Sequence, residues 1–171
     1  MNRTLQASAG TARARATETP LADWWSRAGA YVIDTIILML IAVVLFFVIW
    51  ATSGDSGTAG IAAGVALAAT DLLIRGLVYA PLLMRRGGVH NGQTIGKQLV
   101  GIRVVREDRQ PVGYRAAAYR EWVARTLIVQ VVGIVLTAGI LTVLDYVEPL
   151  LDDRNRAVHD MIASTLVRRA G

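Results

Sequence analysis

Three stretches of the chain carry almost nothing but apolar side chains, and arginine recurs in the segments between them. The first, Thr35 to Gly54, is twenty consecutive uncharged residues dominated by Ile, Leu, Val and Phe. At about 1.5 Å per residue, a helix of that length matches a hydrocarbon core of about 30 Å. Trp24 and Trp25 before it, Tyr31 near its start and Trp50 near its end stand where amphipathic rings settle at membrane interfaces. The second, Gly60 to Met84, is interrupted by Asp71 and Arg75, which lie four residues apart and therefore on one helical face, able to neutralise each other. An unpaired charge at mid-bilayer costs about 2.5 to 3.5 kcal/mol, so an internal pair or a protein-facing position is the tolerable arrangement. Gly60, Gly64 and Ala68 either form a small-residue stripe for close packing of another helix or are ordinary members of an Ala-rich helix. The third, Thr126 to Leu144, holds nineteen uncharged residues with Gln130 as its strongly polar interruption. That length suits a single crossing or a shallow re-entrant segment and is about half of what two crossings need.

The pattern predicts an all-α polytopic membrane protein with about three membrane segments plus a short amphipathic cytoplasmic segment. The amphipathic piece follows Thr94, a suitable N-cap: Ile95, Leu99 and Ile102 recur at helical spacing opposite Lys97 and Arg103, which suits a helix lying on the inner membrane surface. Gly101 to Arg106 alternates apolar and basic residues and reads as a short strand, followed by a turn and a return to helix at Tyr114 to Val123. Residues 1–23 read as a disordered basic tail, 24–167 as the membrane domain and 168–171 as a short C-terminal tail.

Composition sharpens this picture. The chain is 54% hydrophobic with a mean hydropathy of +0.45, too apolar for a soluble globule of 171 residues. Its seventeen arginines, against the single Lys97, avoid the apolar runs with the exception of Arg75. From Arg85 to Val123 there are seven arginines and Lys97 against three acids, whereas the loop after the first run has no Lys or Arg, so the N-terminus and the long loop are expected on the cytoplasmic side of the cell membrane. The side of the C-terminus stays open. Membrane-flanking arginines also account for the pI near 10.2 without nucleic acid as a partner. The partners expected are a bilayer with anionic inner-leaflet lipids and either further copies of this chain or an unlike membrane protein. With no cysteine there is neither a disulfide framework nor a thiolate metal site.

Asp34 opens the first run, and its short side chain should face protein or a polar cavity, or else lie at the interface and end the span. The stretch Gly92-Gln93-Thr94-Ile95-Gly96-Lys97 resembles a phosphate loop only superficially: Gly92 is one residue too close, and Gln98 stands where Ser or Thr would hold magnesium. A basic interfacial turn is the better reading. His159 beside Asp160 lacks the further ligands of a metal-dependent hydrolase and reads as a structural hydrogen-bond pair. Neither an enzyme nor a cofactor is expected.

Taken together, Arg27 with Ala30 and Asp34 at the opening of the first membrane helix, the Gly-Gln-Thr-Ile-Gly-Lys stretch with Gly101 to Val105, and His159-Asp160 with Ala163 and Thr165 resemble the RDD family of small polytopic membrane proteins. The resemblance runs from about Trp24 to Val167. It implies that Arg27, Asp34 and Asp160 are the arginine and two aspartates of the family name, and that the function is a membrane one for which transport has been suggested. Asp71 and Arg75 are not part of that pattern. The expectation is therefore that Arg27, Asp34, Asp160, Asp71 and Arg75 form a signature or an ion or proton site, with Thr94, Gly96, Lys97, Arg103, His159 and Thr165 in the accompanying interfacial motif. A non-transporting anchor or assembly partner is the alternative.

Overall fold

A computed structural model describes residues 19–53 and 56–171. Residues 1–18 of the expected tail, and the side chain of Asp71 with its expected pairing to Arg75, lie outside the described residues.

Helix α1, Trp24–Ser53, begins where Asp23 Oδ1 accepts the Ser26 amide at 3.0 Å, a side-chain cap on an otherwise orphaned donor. No proline interrupts its thirty residues. The segment Trp24–Thr52 is long and apolar enough to cross a membrane, with a mean hydropathy of 3.1 over its most apolar window. Only 17% of that window is buried, whereas a helix at the core of a soluble protein would be mostly covered. Leu40, Val44, Phe47 and Val48 are all more than half exposed.

A second rod lies against α1: helix α2, Ser56–Ala69, passes through a π-helical stretch, Thr70–Tyr79, into α3, Ala80–Met84. The third rod runs through α5, Tyr114–Ala118, a π-helical stretch Tyr119–Val132, and α6, Gly133–Thr137. The widened turn there is visible in Thr126 Oγ1, which donates to the carbonyl of Glu121 five residues back at 2.9 Å. The third apolar run is not one straight helix. Ala138 and Gly139 both take left-handed backbone, φ 49° and 88°, and the chain folds back as α7, Ile140–Val147. Glycine adopts that conformation freely, and alanine does so against a penalty of about 1–2 kcal/mol. Thr142 Oγ1 then donates to the Val129 carbonyl at 3.0 Å, and Leu141 packs on Gly133.

Between the second and third rods lie α4, Ile95–Val100, and strand β1, Ile102–Arg106. After α7 come the short helix α8, Val158–Ile162, and strand β2, Thr165–Arg169. The strands pair antiparallel, with Ile102 opposite Arg169 and Arg106 opposite Thr165. The bulk of the fold is helical as expected, with this ribbon added: β1 falls where alternation predicted it, while β2 was unanticipated. Leu21 bridges to Arg168, and the Ala22 amide donates to the Val167 carbonyl at 2.9 Å, so residues 21–22 line the other edge of β2. The buried core sits at this end, where Ala22, Ala30, Ala80, Met84, Ile102, Val104, Val112, Ala117 and Val167 pack together. Ion-bearing side chains gather beside it.

Candidate functional site

Asp160, on α8, is fully buried and takes cations on both carboxylate oxygens. Arg27 Nη1 donates to Oδ2 at 2.6 Å, and Arg120 donates to Oδ1 from Nη2 at 2.5 Å and from Nε at 3.0 Å. Oδ2 also accepts the Ala157 amide at 3.3 Å, so the carboxylate caps its own helix. Burial alone pushes the Asp160 carboxyl up, but Arg120 and Arg27 overcome it and hold the group well below the usual carboxylate range.

Arg120 is the centre of the cluster. Besides Asp160 it pairs with neighbouring Glu121, and its Nη2 lies 3.0 Å from His159 Nε2. A guanidinium has only donors, so Nε2 must accept, and the ring proton sits on Nδ1. There it faces Asp145, whose two oxygens are both 2.8 Å away, and Asp145 Oδ1 also accepts the His159 amide at 2.9 Å. His159 and Asp160, adjacent in sequence, are thus not each other's hydrogen-bond partners: Nε2 stands 3.6 Å from Asp160 Oδ1. The expected pair is replaced by two pairs, each reaching a different element. Glu121, 3% exposed, collects Arg120, Arg125 at 3.5 Å and Lys97 at 3.9 Å.

Asp34 has a different environment, with no ion pair of its own among the described residues. Its Oδ1 accepts the Tyr79 hydroxyl at 2.6 Å and the Gly96 amide at 2.8 Å, and its Oδ2 accepts the Thr94 hydroxyl at 2.6 Å. This carboxylate therefore ties α1 to the start of α4 and to the second rod. Gly96 permits the approach: a Cβ there would lie 2.2 Å from the Ala30 carbonyl oxygen and 2.9 Å from the Asp34 carboxylate. Thr94 also caps α4, its Oγ1 accepting the Lys97 amide at 3.4 Å.

Lys97 departs from the expected surface position. Gly96 and Lys97 face the protein, while Ile95 and Leu99 are 38% and 71% exposed, so α4 presents its apolar side outward. The tight Gly96 contact with α1 fixes that rotation, and burial lowers the Lys97 ammonium from its ordinary range. Arg103 lies on β1 opposite Arg168, away from the cluster, and Thr165 Oγ1 reaches Arg120 Nε and Asp160 Oδ1 at 3.3 and 3.4 Å. Arg75 donates to Thr35 Oγ1 at 3.0 Å and sits 4.9 Å from the Tyr31 ring, with Arg125 at 4.5 Å from the same ring.

These groups surround a cavity of about 230 Å³. Five cations, Arg27, Arg75, Lys97, Arg120 and Arg125, and three carboxylates, Asp34, Glu121 and Asp145, contribute to its wall, with His159, Tyr31 and Tyr79. Among the described residues no group of three or more His, Asp or Glu is arranged to hold a metal ion.

The model of the RDD family matches residues 21–164, most of the chain. The chain belongs to the RDD family. It is thus a membrane-associated protein with one helix apolar enough to span a bilayer. No curated protein and no solved structure matches it. Within this RDD protein, Arg27 and Asp160 meet directly, whereas Asp34 acts through Thr94 and Gly96 of the Gly-Gln-Thr-Ile-Gly-Lys stretch. Sequence reading passed over Arg120, Glu121, Arg125 and Asp145 as parts of the site. The available signal was Glu121, an acid beside Arg120 and four residues before Arg125 at the edge of an apolar run.

Proposed function

We propose that this RDD protein is a multi-pass protein of the cell membrane that moves a small charged solute through the cavity at the ribbon end of its helices. The observation that carries this reading is the concentration of buried ionisable groups around one cavity: ionisable residues inside membrane proteins are costly and mark pathways and sites. In this arrangement α1 and the second rod cross the bilayer, and the third rod enters and turns back at Ala138–Gly139. The N-terminus, the arginine-rich loop and the C-terminus then share the cytoplasmic side, in keeping with the positive charge of all three. Arg27 and Asp160 orient the cluster, and Asp34 holds α4 over the cavity. So few segments do not enclose a pathway alone. A homo-oligomer supplies the rest, and the stripe at Gly60 and Gly64 is open to it, since among the described residues nothing lies within 4 Å of a Cβ built at either position.

The test is flux in proteoliposomes. Wild-type protein is expected to move a charged solute above the empty-vesicle rate, and Glu121→Gln, which removes a charge from the cavity wall, is expected to reduce that movement. No flux of any cation, proton or small anion would overturn the reading.

A second reading, a non-transporting anchor or assembly partner, is favoured by the closure of the Asp160 and Asp145 pairs upon themselves. Gentle solubilisation followed by mass measurement separates the two: a stoichiometric unlike partner supports the anchor, and a homo-oligomer supports the transporter.

A further inference from the structure

Arg27 is engaged through one nitrogen. Its Nη1 donates to Asp160, but Nε and Nη2, both buried, have no hydrogen-bond partner among the described residues. Those two N–H groups lie side by side on one edge of the guanidinium, the fork that receives a carboxylate or phosphate through two parallel bonds. A buried charged donor without an acceptor is unfavourable, and the acids nearby are taken: Asp160 by Arg27 Nη1 and Arg120, Asp145 by His159, and Asp34 by Tyr79, Thr94 and Gly96.

Arg27 also belongs to the wall of the 230 Å³ cavity, far more space than the roughly 10–15 Å³ that a single water requires. Lys97 is in the same wall, and at 3.9 Å from Glu121 its ammonium is beyond hydrogen-bond reach. The unused fork and a second cation in the same wall call for the same kind of occupant.

We infer that the cavity binds an oxyanion, a phosphate- or carboxylate-bearing group, seated on the Nε–Nη2 edge of Arg27 with Lys97 as a second cation. As the identity of a moved solute this rests on the transport reading; as a binding site it stands without it. The group belongs either to a free anion or to an anionic lipid headgroup.

The full chain, stripped of lipid in a maltoside micelle, is titrated with inorganic phosphate by calorimetry, and in a second arm is mixed with phosphatidylglycerol and weighed intact. Saturable phosphate binding without retained lipid identifies a free anion; retained lipid that phosphate displaces identifies a headgroup. In either case Arg27→Lys, which keeps the charge and loses the fork, weakens binding by about tenfold or more. Lys97→Gln weakens it too, and since Lys97 Nζ has no hydrogen bond to lose among the described residues, this variant keeps the test open if Arg27→Lys does not fold. The site is overturned if wild-type protein binds neither probe, or if both variants bind as wild type does. Cation flux without anion binding removes the site and leaves transport standing. Anion binding without flux removes transport and leaves the site.

Discussion

Arg27, near the start of α1, and Asp160, on α8, meet at 2.6 Å across 133 residues of sequence, and neither can be placed without the other. The contact requires the chain after the third rod to come back to the end from which α1 departs. The reversal at Ala138–Gly139 and the β1–β2 ribbon bring it there. Asp160 is fully buried, so its pairs with Arg27 and Arg120 form in an interior where an unmatched charge is severely penalised.

Removing the charge of Asp160 while keeping its shape tests that statement. Asp160→Asn leaves Arg27 and Arg120 without their shared counter-ion, and the expected loss of stability in detergent is about 3–5 kcal/mol, read from chemical unfolding.

The same carboxylate makes stability depend on pH in a defined direction. Its folded pKa lies below the ordinary aspartate value, so the unfolded chain binds the proton more readily. The stabilisation is therefore present above the ordinary carboxylate range and is lost as pH falls from about 5 downward. Wild-type unfolding free energy should decline over that acid window, and Asp160→Asn should flatten the decline. An identical acid slope in both would show that Asp160 is not the group responsible.

Gly96→Ala places a methyl group against the Ala30 carbonyl and the Asp34 carboxylate. Overpacking of that kind costs about 1–3 kcal/mol, because α4 must move off α1. Asp34→Asn removes one of the acceptors on which Tyr79, Thr94 and Gly96 depend, at a cost of about 1–3 kcal/mol. A double-mutant cycle of Asp34→Asn with Tyr79→Phe should give a coupling energy clearly above zero, and additive effects would contradict the 2.6 Å bond.

His159 should be observed as the tautomer protonated at Nδ1. Nitrogen chemical shifts of the labelled ring in micelles are expected to show Nδ1 bearing hydrogen and Nε2 without it. The opposite tautomer would mean that Arg120 does not donate to this ring.

Much of this arrangement was legible in the sequence, for identifiable reasons. The first span is announced by length and apolarity, and α4 by Thr94, which caps its start, although Ile102 and Arg103, expected on its faces, lie on β1 beyond the left-handed Gly101. Arg27, Asp34 and Asp160 stood out through the family resemblance. Arg120 and Arg125 did not, because arginines flanking an apolar run ordinarily anchor it to headgroups, and only the folded chain turns these two inward against Glu121. Asp145 lies fourteen residues from its partner His159, at no helical spacing. The reversal at Ala138–Gly139 carries no polar punctuation, so the run reads as continuous although its backbone is not. Strand β2 was hidden because a two-stranded ribbon is defined by its partner, and Thr165 to Val167 alone resembles the end of a helix.

Sidedness of the chain tests the central claim most directly. The protein has no cysteine, so single substitutions Thr58→Cys, Gln110→Cys and Gly171→Cys can each be labelled with a membrane-impermeant maleimide in intact cells and in inverted vesicles. The account predicts that Gln110→Cys and Gly171→Cys label only in inverted vesicles and Thr58→Cys only in cells. Labelling of Gln110→Cys and Gly171→Cys from opposite sides would separate Arg27 from Asp160 by a bilayer and contradict it.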